Sequence, residues 1–396
     1  MMLELIAAAL AGLLIGIVSG LTPGLHVNLA AAIFVHATGG LPGLVVAVAL
    51  VGMSFAHVFL EFVPAVFLSA ASEDTAMASK PAAEMLMKGL GYDAVRLALT
   101  GCLAGFLAAV LLLPGLLLMV PLVFAVARDY IGWVLLFFAA LMLWMERRLF
   151  FWAVFVFAAS GALGFVAFSL PGLDEPLLPM LSGLFAVSFI VMSLAGDFQL
   201  PVQHAVEIAE VKPSALMKQA GLAIAAGSLI SIFPALGPAQ SASVTSSLSG
   251  SRENKGYVVL VGAVASVSMF MSLVTMYTIA KARNGSVAMA QDALGIIGIG
   301  QFSLLLAAAF LSAGLSVVVA VYAARLSCRV MAGLNYRLLL GIVASFILLL
   351  VFLFSGLSGL VVMLTGASIG ITCIVKGLNR SLLMGCLMAP VMAIYL

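Results

Sequence analysis

From Leu5 to Leu60 the chain runs 56 residues without one Asp, Glu, Lys or Arg, and Thr22-Pro23-Gly24 interrupts that run. Water is a poor solvent for such a stretch, since soluble domains carry roughly a quarter charged residues. Hydrocarbon suits it, but only where backbone amides and carbonyls are paired, because each unpaired group costs several kcal/mol there. A proline followed by a glycine stops the helical ladder. The interruption therefore has to be buried in protein or line a wet cavity.

A second interruption, Pro234-Ala235-Leu236-Gly237-Pro238, follows the apolar run Ala220–Phe233 and precedes a Ser-rich stretch, 241–251. A shift of 211 residues places Ala9 on Ala220, Gly16 on Gly227, Pro23 on Pro234, Leu25 on Leu236 and Ala31 on Ala242. The order of segments after each break also recurs. Paired broken helices in two halves point to the binding site of a secondary transporter.

Of 396 residues, 65% are hydrophobic and 8% charged, which predicts an all-α polytopic membrane protein. A barrel would show alternating segments of about ten residues. Candidate spans are 3–37 (interrupted), 41–71, 97–127, 130–145, 149–170 and 177–194. In the second half they are 219–250 (interrupted), 256–280, 297–323, 338–355, 357–375 and 381–396. Segment 97–127 holds Pro114 and Pro121 and reads as one kinked helix or two short ones. The start lacks the basic region of a signal peptide and reads as a retained membrane segment. The organisation predicted is a first membrane repeat, 1–195, a cytoplasmic connector, 196–218, and a second repeat, 219–396. Each repeat is a re-entrant or broken hairpin plus about five spans, with polar loops at 72–96 and 281–296.

Arg325, Arg329 and Arg337 lie in a loop without acids, so that loop is expected inside. Asp174 and Glu175 mark an outside loop. From these anchors Arg147, Arg148, Lys212, Lys218, Arg252, Lys255, Lys376 and Arg380 fall inside, together with Lys80, Lys88 and Arg96. Lys281, Arg283 and Arg128 are the exceptions. Five spans per half is odd, so the halves enter from opposite faces, an inverted-topology repeat.

At the first break, the segment resuming at Leu25 presents a helix N-terminus, an anion site that needs no Arg or Lys. Thr22, Pro23, Gly24, His26 and Asn28 are the candidate binding residues; a packed proline kink is the structural alternative. At the second break the candidates are Pro234, Gly237, Pro238, Gln240, Ser241 and Ser243, against tight packing by small hydroxyl residues. His57 and Glu61 are one helical turn apart in an otherwise uncharged span. They read either as a proton or ion path or as an interfacial carboxylate with a structural partner. The equivalent positions in the second half, Ser268 and Ser272, are uncharged.

Asp93 and Arg96 are expected in a solvated connector, and Trp133, Trp144 and Trp152 in an interfacial belt. Cys102, Cys328, Cys373 and Cys386 have no ligand spacing and read as small buried residues, so no metal site is expected. A net charge of +2 without a basic stripe argues against nucleic acid.

The chain resembles the large membrane subunit (TctA) family of tripartite tricarboxylate transporters, in its archaeal stand-alone branch. The matching stretches are Gly20–Asn28, Pro64–Leu103, Pro179–Phe185, Pro234–Gln240 and Asn379–Gly385 with Pro390. The resemblance implies a permease for citrate-like carboxylates, a periplasmic binding protein and a small membrane subunit. The chain departs from the bacterial pattern in its shorter length, a second break poor in glycine, and Ala186 after Phe185.

The leading expectation is a multi-pass, cell-membrane secondary transporter for a small organic anion, a di- or tricarboxylate, coupled to H⁺ or Na⁺ by alternating access. The alternative is a polyprenyl-phosphate flippase using the same breaks. No other cofactor is expected, partners are the anion and the bilayer, and a homodimer is left open. An intramembrane enzyme is disfavoured, since no nucleophile elbow, HExxH or paired intramembrane aspartates occur.

Overall fold

The computed structural model describes residues 2–68, 70, 72, 75–173, 175–196, 200–205, 211–233, 235–249 and 254–396. For 76–80, 239, 243, 246–249 and 254 it describes backbone alone. Pro234 and the side chain of Ser243 therefore lie outside the described residues.

The described residues form helices and no strand. The first half holds α1 (Met2–Leu21), α2 (Val27–Ala37), α3 (Gly43–Leu60), α4 (Phe62–Phe67), α5 (Ala76–Leu86) and α6 (Gly91–Leu111). It continues with α7 (Leu113–Ala127), α8 (Ile131–Met145), α9 (Phe150–Ser169), α10 (Leu177–Leu181) and α11 (Ser188–Ala195). The second half holds α12 (Pro213–Ile232), α13 (Pro238–Ser249), α14 (Asn254–Ile279), α15 (Gly285–Leu294), α16 (Ile299–Met331), α17 (Tyr336–Val375) and α18 (Gly385–Tyr395). Ten helical runs among the described residues are long and apolar enough to cross a bilayer, so this is a multi-pass membrane protein.

Two helices make the centre. α14 is buried along its apolar length and α3–α4 nearly so. Lipid offers helices no hydrophobic reason to associate, so close van der Waals contact has to hold them. Small residues supply it. Gly12, Gly16 and Gly20 lay α1 on the backbone of α3, and Gly101 and Gly262 bring α6 and α14 together. The contacts recur in pairs: α1 on α3 and α12 on α14, α16 on α3 and α6 on α14, α15 on α3 and α5 on α14.

Three features differ from the sequence expectation. The loops 72–96 and 281–296 contain helices, α5 and α15, which pack inward on the central pair. Asp93 is not solvated: it is fully buried and accepts from Arg96 Nε and Nη2 at 2.9 and 2.7 Å. Arg380, expected at the inner surface, is buried in the 3-10 turn Arg380–Met384, with Nη2 donating to Phe185 O in a π-helical turn, Ser182–Val187. The kinked segment resolves as α6 and α7 running end to end through Leu112. Gly356, at φ 60 and ψ −158, divides α17 in two, and both parts pack on the Leu177–Ala195 span. All four cysteines are free and buried, as expected. Trp133, Trp144 and Trp152 are exposed, with Arg147 over Trp144 and Lys376 over Trp152.

Both breaks turn the chain with one left-handed residue. Gly24 has φ 78, and Ala235, 211 residues later, has φ 62. The left-handed region costs a non-glycine residue roughly 1–2 kcal/mol. A Cβ on Gly24 would also meet Ile347 Cγ1 at 2.8 Å. Gly24→Ala is therefore expected to lower the melting temperature of the detergent-purified protein, whereas Ala235→Gly leaves it unchanged or higher. Equal losses in both would refute a shared left-handed turn.

Candidate functional site

The breaks face two adjoining cavities that share His26, Asn28, Leu177 and Leu387 as walls. The first is lined by Thr22, Pro23 and Gly24 with His57, Glu61, Ser72 and Glu175. The second is lined by Ala235, Leu236 and Gly237 with Ser268, Lys281, Arg283 and Asn284. The second is the roomier, roughly 480 Å³ against roughly 100 Å³.

In the first cavity Thr22 Oγ1 donates to Val18 O at 2.6 Å, closing the end of α1. His26 caps α2, its Nδ1 accepting from Asn28 N at 3.2 Å. The His26 and His57 rings lie 6.0 Å apart. His57 and Glu61 are both buried. Ser19 Oγ is 3.0 Å from His57 Nδ1, His57 Nε2 is 3.9 Å from Glu61 Oε2, and Ser72 Oγ donates to that same oxygen at 2.7 Å. A polar chain thus runs from α1 through the α3–α4 span to the segment before α5.

The second cavity repeats this arrangement with the charge exchanged. Ser272 takes the place of Glu61, and its Oγ accepts from Arg283 N and Asn284 N at 3.0 and 2.9 Å. Arg283 stands where the first half has Ser72, at the same offset of 211 residues. Its guanidinium donates to Ser268 Oγ and to Leu236 O within the break. Lys281 Nζ lies 4.8 Å from the Phe124 ring centroid. Among the described lining residues, the first cavity carries Glu61 and Glu175 without Lys or Arg, and the second carries Lys281 and Arg283 without Asp or Glu.

Asn28 ties the two together, its Oδ1 accepting from Ser286 N at 3.0 Å. Ser54 of α3 and Ser286 meet at 2.6 Å between hydroxyl oxygens. The second break fastens itself: Gly237 N donates to Gln240 Oε1 at 2.6 Å. Pro238, Gln240 and Ser241 are buried behind the second cavity and line neither space.

His26 and Gln240 each occupy an amide beside a break, and the positive charge at the second break comes from Arg283 and Lys281. These two were missed as site residues, although a signal existed: they were exceptions to the charge rule for loops. Arg283, half-buried, turns its guanidinium to the second break, while Lys281 is exposed at the mouth of the cavity that it lines. Ser19, Ser72 and Glu175 carried no comparable mark.

Many apolar spans, with charge gathered around two helix interruptions, define a membrane permease. The chain belongs to the tripartite tricarboxylate transporter TctA family, whose profile matches residues 6–385. It is also similar to an uncharacterised protein of Methanocaldococcus jannaschii, 25% identical over 283 residues covering 69% of each chain. No solved structure matches it.

The opposite charge of the two cavities is open to direct measurement. Cysteines placed at Ala186 (first cavity) and Ala265 (second) in a background free of native cysteines should prefer methanethiosulfonates of opposite charge. The Ala186→Cys variant is expected to react about fivefold faster with the cationic reagent, and Ala265→Cys with the anionic one, as roughly 1 kcal/mol of local potential implies. The same preference at both sites would contradict the division.

Proposed function

We propose that this chain is the permease of a secondary transporter that moves a small organic di- or tricarboxylate across the cell membrane, coupled to H⁺ or Na⁺. The observation that carries the reading is the division of charge between two cavities with a common wall. A polycarboxylate is a poor cargo for hydrocarbon unless its charge is met by fixed partners. Arg283 and Lys281 meet it at the second break. Guanidinium groups suit carboxylates because their planar donors engage both oxygens.

The coupling cation belongs at the first break, where Glu61 and His57 are joined to Ser19 and Ser72. An ionisable pair at this depth is costly without a task. His26 and Asn28 touch both spaces, so filling one cavity alters the wall of the other. The two halves, taken as inverted repeats, would alternate access by motion of the broken elements against the central helices. The tripartite family supports a binding protein and a small membrane subunit as partners. It also favours the small-anion reading over a polyprenyl-phosphate flippase.

Proteoliposome flux of labelled di- and tricarboxylates under an imposed H⁺ or Na⁺ gradient tests this. Arg283→Gln removes a charge-assisted hydrogen bond of about 1.5–3 kcal/mol, so the apparent affinity should fall roughly tenfold to a hundredfold. Glu61→Gln should abolish gradient-driven accumulation while leaving substrate exchange across the membrane. Absence of flux over a broad organic-anion panel, or wild-type behaviour in both variants, rejects the proposal.

A further inference from the structure

We propose that the outer face of α6 holds one anionic membrane phospholipid, independently of the transport site. α6 packs against both α12 and α16, and a groove of roughly 280 Å³ runs between those flanking helices. Its floor is Arg96, Leu99, Thr100, Leu103 and Leu107, with Leu216 of α12 on one wall and Val317 and Val321 of α16 on the other.

The residues are spaced as one helix face: 96, 100, 103 and 107 recur at three and four. The opposite face, with Gly101 and Gly105, is pressed against α14. From Arg96 to Leu107 is eleven residues, about 16 Å at 1.5 Å per residue. That length matches one leaflet, half of a hydrocarbon core about 30 Å thick. Leu103 and Leu107 are 36% and 49% exposed, so the floor is open to an acyl chain.

Charge is confined to one end. Arg96 closes the groove, its side chain 23% exposed and paired with buried Asp93. Arg325 of α16 is exposed beside it, with Nε 3.3 Å from the hydroxyl of Tyr92, one turn before Arg96. Arg329 lies exposed a further turn along α16. An apolar trough one leaflet deep, with guanidinium groups at its head, fits a diacyl lipid with a phosphate headgroup. Basic pockets between spanning helices bind such headgroups.

The test is native mass spectrometry of the full-length, detergent-purified chain titrated with phosphatidylglycerol or phosphatidylcholine. Arg96 is left intact, since its removal would take a guanidinium partner from buried Asp93. The wild type is expected to hold one phosphatidylglycerol at about tenfold lower lipid concentration than phosphatidylcholine, on the scale of one or two interfacial basic residues. Arg325→Ala should cut that preference about fivefold, and Leu103→Trp, which fills the trough, should abolish it. Melting temperature and carboxylate flux report on folding and on the transport site separately. Loss of the preference in either variant, with the melting temperature kept, supports the site. No preference in the wild type, or a preference that survives in both variants, overturns it.

Discussion

A helix interrupted inside hydrocarbon creates a demand that the rest of this structure answers. Amides and carbonyls released at Gly24 and Ala235 cannot turn to lipid, so polar partners must be brought to them. His26 and Gln240 supply part locally. The remainder arrives from distant segments: Arg283 donates to Leu236 O, and the start of α15 is fastened to Asn28 and Ser54. The inward packing of α5 and α15, and the cavities beside them, follow from that demand.

The packing around α3 and around α14 is alike, and positions 211 residues apart carry different charges. At one helix position the halves carry Glu61 and Ser272, and at the facing loop position Ser72 and Arg283. Each pair is joined through its serine hydroxyl, Ser72 donating to the Glu61 carboxylate and Ser272 accepting from the Arg283 backbone amide, while the sign of the charge differs. Such a fold can thereby divide cation and anion between two equivalent places. Glycine contacts hold α1 on α3 and α6 on α14, and both cavities share His26 and Asn28 as walls.

Much of the architecture was legible because transfer to hydrocarbon is a local cost. Each apolar residue contributes nearly independently of its distant neighbours, so spans such as α3 and α14 read directly from composition. The two breaks read as clearly, since proline and glycine act on their own backbone. His57 and Glu61 stood out for a similar reason, as ionisable side chains isolated in apolar sequence. For Gln240, polarity identified a residue that needs a partner, and the structure supplies one in the Gly237 amide of its own break. Asp93 and Arg380 misled, as charged residues near span ends that turned out to be buried.

The sequence by itself determined a helical membrane protein with two helix breaks, because these rest on short-range chemistry. Only the tertiary structure decided that 283–286 packs inward and carries the Arg283 guanidinium to the second break. A polar segment of that length is stable as a solvated loop or as a buried strap. The choice depends on acceptors far away in the chain (Ser272, Ser268, Asn28 and Leu236 O), and no local pattern announces them.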